Sequence, residues 1–137
     1  MKVLVTGGGG FVGGALCRRL RDLGHDVTGL GRRANSGLTA LESEGIRTVI
    51  HDLSLLEGVS DLARLFVEVD CVFHAAAHVK MWGPREAFVR GNIQATNNVI
   101  AACRAAGVSK LVFTSSPSVI ASDHDLRARI RSRARSP

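Results

Sequence analysis

Lys2-Val3-Leu4-Val5-Thr6-Gly7-Gly8-Gly9-Gly10-Phe11-Val12-Gly13 decides the architecture of this 137-residue chain. Lys2 to Thr6 is a β-branched and apolar run, four glycines follow, and from Phe11 to Leu23 the apolar positions change to helical spacing, so the stretch reads as strand, tight turn and helix. Gly7, Gly10 and Gly13 stand in the spacing G-x-x-G-x-x-G. Such a turn lets backbone approach a pyrophosphate, and the helix behind it directs free N–H groups and a partial positive charge at that anion. A bare glycine triplet is a weak signal; the strand before it and the helix after it make dinucleotide binding the expectation.

The pattern then repeats outward. Gly24-His25-Asp26 closes the first helix, Val27 to Leu30 reads as a second strand, and Ser36 is placed to cap a short helix ending near Gly45. Arg47 to His51 makes a third strand, Leu55 to Val67 an amphipathic stretch, and Asp70 to His74 a fourth strand running into Ala75-Ala76-Ala77. Pro84 suits the first turn of a long helix to Ala106, with Gly107 as its stop and Phe88, Ala95, Val99, Ala102 and Ala106 on one face. Lys110 to Thr114 is a fifth strand. Five strands alternating with four helical segments require crossover connections, hence an α/β, doubly wound parallel sheet of the Rossmann type. The expected strand order is 3-2-1-4-5, with the ligand crevice beyond the strands' carboxyl ends.

Composition sets limits on this reading. The chain fits one domain, burying about 65–70% of the surface its unfolded form exposes. With 45% hydrophobic and 22% charged residues it is ordinary for a folded protein. No apolar run approaches bilayer length and the N-terminus enters a strand directly, so a cytoplasmic chain without a signal peptide or membrane association is expected. Cys17, Cys71 and Cys103 are odd in number, far apart and embedded in apolar stretches, which suggests buried thiols rather than disulfides. His74 and His78 have no carboxylate nearby in sequence, so no metal is expected. The net charge of +6 divides into two equal halves, one of which lies in residues 122–137. Residues 1–121, the expected NAD(P)-binding domain, are therefore only mildly basic, and nucleic acid is an unlikely partner.

Specificity for the dinucleotide is read at the end of the second strand, where NAD-binding domains place an acidic residue against the ribose 2′-hydroxyl. Asp26 has the right separation from the glycines but precedes the strand, at the amino edge of the sheet. Arg32 and Arg33 follow it at the carboxyl edge. An arginine there can pair with a 2′-phosphate, which favours NADP over NAD.

The segment Thr6-Gly7-Gly8-Gly9-Gly10-Phe11-Val12-Gly13 resembles the opening of the extended short-chain dehydrogenases/reductases, the NAD-dependent epimerase/dehydratase superfamily. Further likenesses follow in order: Asp52-Leu53, Val72-Phe73-His74-Ala75-Ala76-Ala77, Asn92 with Thr96, and Phe113-Thr114-Ser115-Ser116. Trp82-Gly83-Pro84 and the run Asn98 to Gly107 look most like the 3β-hydroxysteroid dehydrogenase branch, whose bacterial members include reductases of 2-alkyl-3-keto acids. The resemblance covers residues 1 to about 120 and implies NADP or NAD as cofactor, with a bulky small-molecule substrate in the full-length form. It assigns cofactor contacts to Gly7, Gly10, Phe11, Val12, Gly13, Leu53, Ala75, Ala76, Ala77 and Thr114, and gives Asp52 a hydrogen bond from the adenine amino group. Ser116 matches a catalytic serine and Asn92 a helix position supporting the active site. A homodimer through helix 85–106 is also implied.

The resemblance requires a tyrosine acid/base with a lysine four residues later; the sequence has no tyrosine, and Lys2, Lys80 and Lys110 are its only lysines. From Arg127 to Arg135 every second residue is arginine. This Arg-rich tail, residues 122–137, reads as disordered or as a gene read out of frame, and a truncated or frame-shifted product is the favoured expectation. Two readings follow. In one, the chain keeps the cofactor half of an oxidoreductase interconverting hydroxyl and ketone, or of a sugar-nucleotide epimerase or dehydratase, and is inactive alone. In the other, it is a non-enzymatic dinucleotide-binding or dimerisation module.

Overall fold

A computed structural model describes residues 1–55 and 58–120. Strands β1 (Lys2–Thr6), β2 (Asp26–Gly31), β3 (Arg47–Ile50), β4 (Cys71–His74) and β5 (Lys110–Phe113) form one parallel sheet in the order β3-β2-β1-β4-β5. Helices α1 (Phe11–Asp22), α2 (Ser36–Ser43), α3 (Val59–Leu65), α4 (Arg85–Phe88) and α5 (Ala95–Ala106) make the crossovers. The order and the doubly wound arrangement are those expected from the sequence.

Alternation along β1 divides the core. Val3 and Val5 face one side, where they pack with Cys17, Leu20, Leu38 and Leu41 of α1 and α2. Leu4 faces the other, joining Leu62, Phe66, Val72, Val99 and Ala102 beside α3 and α5. Side chains of this size gain about 1.5–3 kcal/mol each on full burial, so the two layers hold the sheet from both faces. All three cysteines are free and buried. Burial pushes the Cys17 and Cys103 thiols up to about 11, which keeps them protonated and unreactive.

Three local expectations are corrected. The cap of α2 is Asn35, not Ser36: Asn35 has extended backbone and its side chain accepts the Leu38 N–H at 2.9 Å, which its neighbour inside the helix cannot do. Among the described residues of the amphipathic stretch the helix covers Val59–Leu65. The long helix 85–106 is not uniformly α: a π-helical segment, Val89–Gln94, separates α4 from α5. Gly107 is the C-cap, as expected.

Strand β5 lies at one edge of the sheet, and all four of its residues are exposed. The Arg-rich tail lies outside the described residues. Among the described residues no helix is long and apolar enough to cross a membrane, and no cluster of metal-binding side chains occurs.

Candidate functional site

At the carboxyl ends of β1, β2 and β4, where the chain crosses from one face of the sheet to the other, a cavity of about 270 Å³ opens. Its walls come from Gly7, Gly9 and Gly10 of the glycine turn, Arg32 and Asn35 after β2, His51 to Ser54 after β3, Ala75 to His78 after β4, and Gly91 and Ala95 of the long helix. Eight of the twelve expected cofactor residues line it: Gly7, Gly10, Arg32, Asp52, Leu53, Ala75, Ala76 and Ala77.

The turn is packed too closely for side chains at several positions, Gly7 and Gly13 among them. Gly7 has φ +74°, and a Cβ there would stand 2.9 Å from both Ala76 Cα and Ala76 N. A Cβ on Gly13 would overlap the Gly7 carbonyl oxygen and lie 3.0 Å from Gly8 N. The first turn of α1 is thereby pressed against the glycine turn. Among the described residues no side chain caps α1, and no acidic residue sits in its first turn, so its leading N–H groups are available to an anion.

On the opposite wall, Asp52 Oδ1 accepts both the Ser54 N–H at 2.9 Å and the Ser54 hydroxyl at 2.7 Å. Burial acts to raise its pKa, but the Ser54 hydrogen bonds, with Arg32 and Arg90 nearby, outweigh it and hold the carboxyl below the usual carboxylate range. The residue is an ionised acceptor at neutral pH, and no hydrogen bond engages Oδ2 among the described residues. Arg32 lines the cavity and Arg33 does not. Asp26 is confirmed at the amino edge of the sheet, paired with Arg47 at 2.8 Å and away from the cavity.

Other expected residues lie elsewhere. Gly13 sits beneath the turn, while Phe11 and Val12 are exposed and outside the cavity lining. The Thr114 N–H donates to the His74 carbonyl at 3.0 Å. Ser116 is exposed, its hydroxyl 2.8 Å from that of Ser118. Asn92 holds the backbone of His78 at both ends, accepting its N–H at 2.8 Å and donating to its carbonyl at 3.3 Å. No hydrogen bond joins Asn92 to Ser116 among the described residues.

Sequence reasoning passed over two further groups. Buried Asn98 donates from Nδ2 to the carbonyls of Leu53, at 2.8 Å, and Leu55, at 2.9 Å, holding the segment that carries Asp52. Thr6, His74 and Thr96 form a hydrogen-bonded row beneath the Ala75–Ala77 segment. All four residues fall in stretches that carry the family resemblance, but no role was attached to them there; the physical signal was a polar residue on a buried helix face or at an otherwise apolar strand end.

A glycine turn at the head of an uncapped helix, set at the switch point of a parallel sheet, defines a Rossmann-type domain. The NAD dependent epimerase/dehydratase family matches residues 3–136, and the chain belongs to that family. It is 44% identical over 119 residues to a 2-alkyl-3-oxoalkanoate reductase of Stenotrophomonas maltophilia (strain K279a), covering 87% of this chain and 34% of the relative. It is 34% identical over 132 residues to a 3-beta-hydroxysteroid dehydrogenase of Mycolicibacterium neoaurum, covering 91% of this chain and 34% of the relative. Among solved structures, a UDP-glucose-4-epimerase from Stenotrophomonas maltophila with bound NAD and formylated UDP-arabinopyranose superimposes with a TM-score of 0.77 at 30% identity, covering 92% of this chain and 40% of that one. The chain thus spans about a third of the length of the curated relatives it matches.

Proposed function

We propose that this chain forms the dinucleotide-binding part of an NAD(P)-dependent oxidoreductase interconverting a hydroxyl and a ketone on a bulky substrate. The observation that carries the reading is the cavity itself, which gathers the close-packed glycine turn, the ionised Asp52, Arg32 and the small Ala75–Ala77 segment around one space. In this reading the first-turn N–H groups of α1 hold the pyrophosphate and Asp52 Oδ2 accepts from the adenine amino group. The bound nicotinamide supplies or accepts hydride; this chain's residues bind and orient the dinucleotide. Ser116 would hydrogen-bond the substrate oxygen, and Asn92 would support it by fixing the His78 backbone.

Two facts favour a bulky apolar substrate over a sugar nucleotide. The relatives at 44% and 34% identity are named as reductase and dehydrogenase of such compounds. The loop after β4 also presents Val79, Met81 and Trp82 at 86%, 92% and 87% exposure, a surface suited to alkyl or steroid rather than to hydroxyl groups. The sugar-nucleotide reading draws on the epimerase structure with its UDP sugar.

Calorimetric titration with NADP⁺ and NAD⁺ tests the cofactor site. Both are expected to bind, NADP⁺ more tightly. Arg32→Ala is expected to weaken NADP⁺ about tenfold, the worth of one charge-assisted pair, while leaving NAD⁺ within about twofold. Equal loss for both cofactors would remove Arg32 from the 2′-phosphate. The 137 residues contain no tyrosine, and general acid–base transfer contributes about 10²–10⁴-fold. The chain by itself is therefore expected to bind cofactor without turnover, and steady NAD(P)H consumption with 2-alkyl-3-keto acids would overturn this division of labour.

A further inference from the structure

The exit of β4 meets the glycine turn through one buried hydroxyl. Thr6 Oγ1 lies 2.7 Å from His74 Nδ1 and accepts the Ala76 N–H at 3.2 Å, while His74 Nε2 lies 3.0 Å from Thr96 Oγ1. Thr6 is 0% and His74 1% exposed.

The proton arrangement follows from counting. A hydroxyl has one hydrogen to give and two lone pairs to offer. The Ala76 N–H can only donate, so it takes one lone pair of Thr6. Were Nδ1 also to donate, the Thr6 hydrogen would be left buried with no acceptor among the described residues, at a cost of about 1–3 kcal/mol. With Nδ1 as acceptor, the Thr6 hydrogen is satisfied and the ring hydrogen lies on Nε2, donated to Thr96. Thr96 is only half-buried, so its own hydrogen is not stranded in the same way.

We propose that His74, held as the neutral Nε2–H tautomer, is a positioning residue for the dinucleotide site: by taking the Thr6 hydrogen it aims a Thr6 lone pair at the Ala76 N–H. The Ala75–Ala77 segment is thereby fixed against the glycine turn, where Ala76 already stands too close to Gly7 to admit a Cβ. This inference rests on reading the cavity as a dinucleotide site. A protonated ring would donate from both nitrogens and strand the Thr6 hydrogen, weakening the junction that holds the segment.

The groups facing the ring are Thr6 from β1, Thr96 from α5 and the Phe113 ring of β5, 5.6 Å away. Among the described residues none of these groups is charged, and burial holds the His74 pKa below its ordinary value of 6.5. The neutral ring's contribution to stability is accordingly complete above the unfolded-state value of 6.5, and is lost as pH falls from there through the lowered folded-state value.

Nitrogen-15 imidazole correlation spectra of the cofactor-free chain test the tautomer directly. The Nε2–H form is expected at neutral pH, titrating below 6.5; the Nδ1–H form, or titration at the ordinary value, would overturn the relay. The positioning role is tested by NADP⁺ affinity in Thr6→Ser, which keeps the hydroxyl, and Thr6→Val, which keeps the shape. The serine variant is expected within about twofold of wild type and the valine variant about tenfold weaker; equal affinities would overturn the role. If the wild-type chain showed the Nε2–H tautomer but bound no dinucleotide, the reading of the cavity and the positioning role would both fall while the proton arrangement stood. Binding by a wild-type chain in the Nδ1–H form would refute the relay alone.

Discussion

Gly13→Ala is expected to weaken NADP⁺ binding by more than about 100-fold and to cost about 1–3 kcal/mol of stability, the range of an overpacked contact. The added methyl would overlap the Gly7 carbonyl oxygen and crowd Gly8 N. Neither neighbour is a flexible side-chain tip, so the glycine turn must move away from the first turn of α1. That movement also displaces Gly7 from Ala76, and the two sides of the cavity lose their register together. Gly10→Ala is the contrast. Its Cβ would meet only the Gly7 oxygen, at 3.2 Å, and a stability loss below about 1 kcal/mol is expected. Urea denaturation with calorimetric titration distinguishes the two, and similar stability losses would refute the steric account.

Asn98→Leu is expected to cost about 2–4 kcal/mol despite nearly preserving side-chain volume, because it leaves two carbonyls without their donor. Asn98 is 6% exposed, and its Oδ1 also accepts from Gln94 Nε2 at 2.9 Å. The carbonyls it releases belong to Leu53 and Leu55, which bracket the turn next to Asp52. Cofactor affinity is therefore expected to fall about tenfold in variant that remains folded, as Asp52 loses its fixed place. Unchanged midpoint and unchanged affinity would show that solvent replaces the amide at no cost.

What the sequence disclosed and what it withheld differ in physical kind. The strand, turn and helix at residues 2–23 were legible because a β-branched, apolar run and a period-3.6 pattern abut across the glycines, and the parallel sheet then followed from the need for crossovers. Arg32 was legible from its place after the second strand and Asp52 and Ala75–Ala77 from the family resemblance; they meet because strand ends in a parallel sheet converge. The amide of Asn98 was not, because its partners are backbone carbonyls 45 and 43 residues away that carry no signature of their own. The row from Thr6 to Thr96 joins side chains 68 and 22 residues apart, and no spacing links them in the sequence. Asn35 and Ser36 are adjacent and both suited to capping; only the extended backbone at Asn35 decides between them. The π-helical segment has no sequence pattern, and the hold of Asn92 on His78 depends on how it is wound.

The alternation of β1 settles more than which side chains are buried. Because Thr6 shares the parity of Leu4, its hydroxyl emerges on the face that carries α5, directly across from its register partner His74. Strand position is thus an address, written in odd and even numbers rather than in residue chemistry. Inserting or deleting one residue between Lys2 and Thr6 would deliver the hydroxyl to the opposite layer while leaving the glycine motif itself intact. A swap of one aliphatic residue for another in this strand is thus a matter of packing, whereas a change in their number moves the hydroxyl itself.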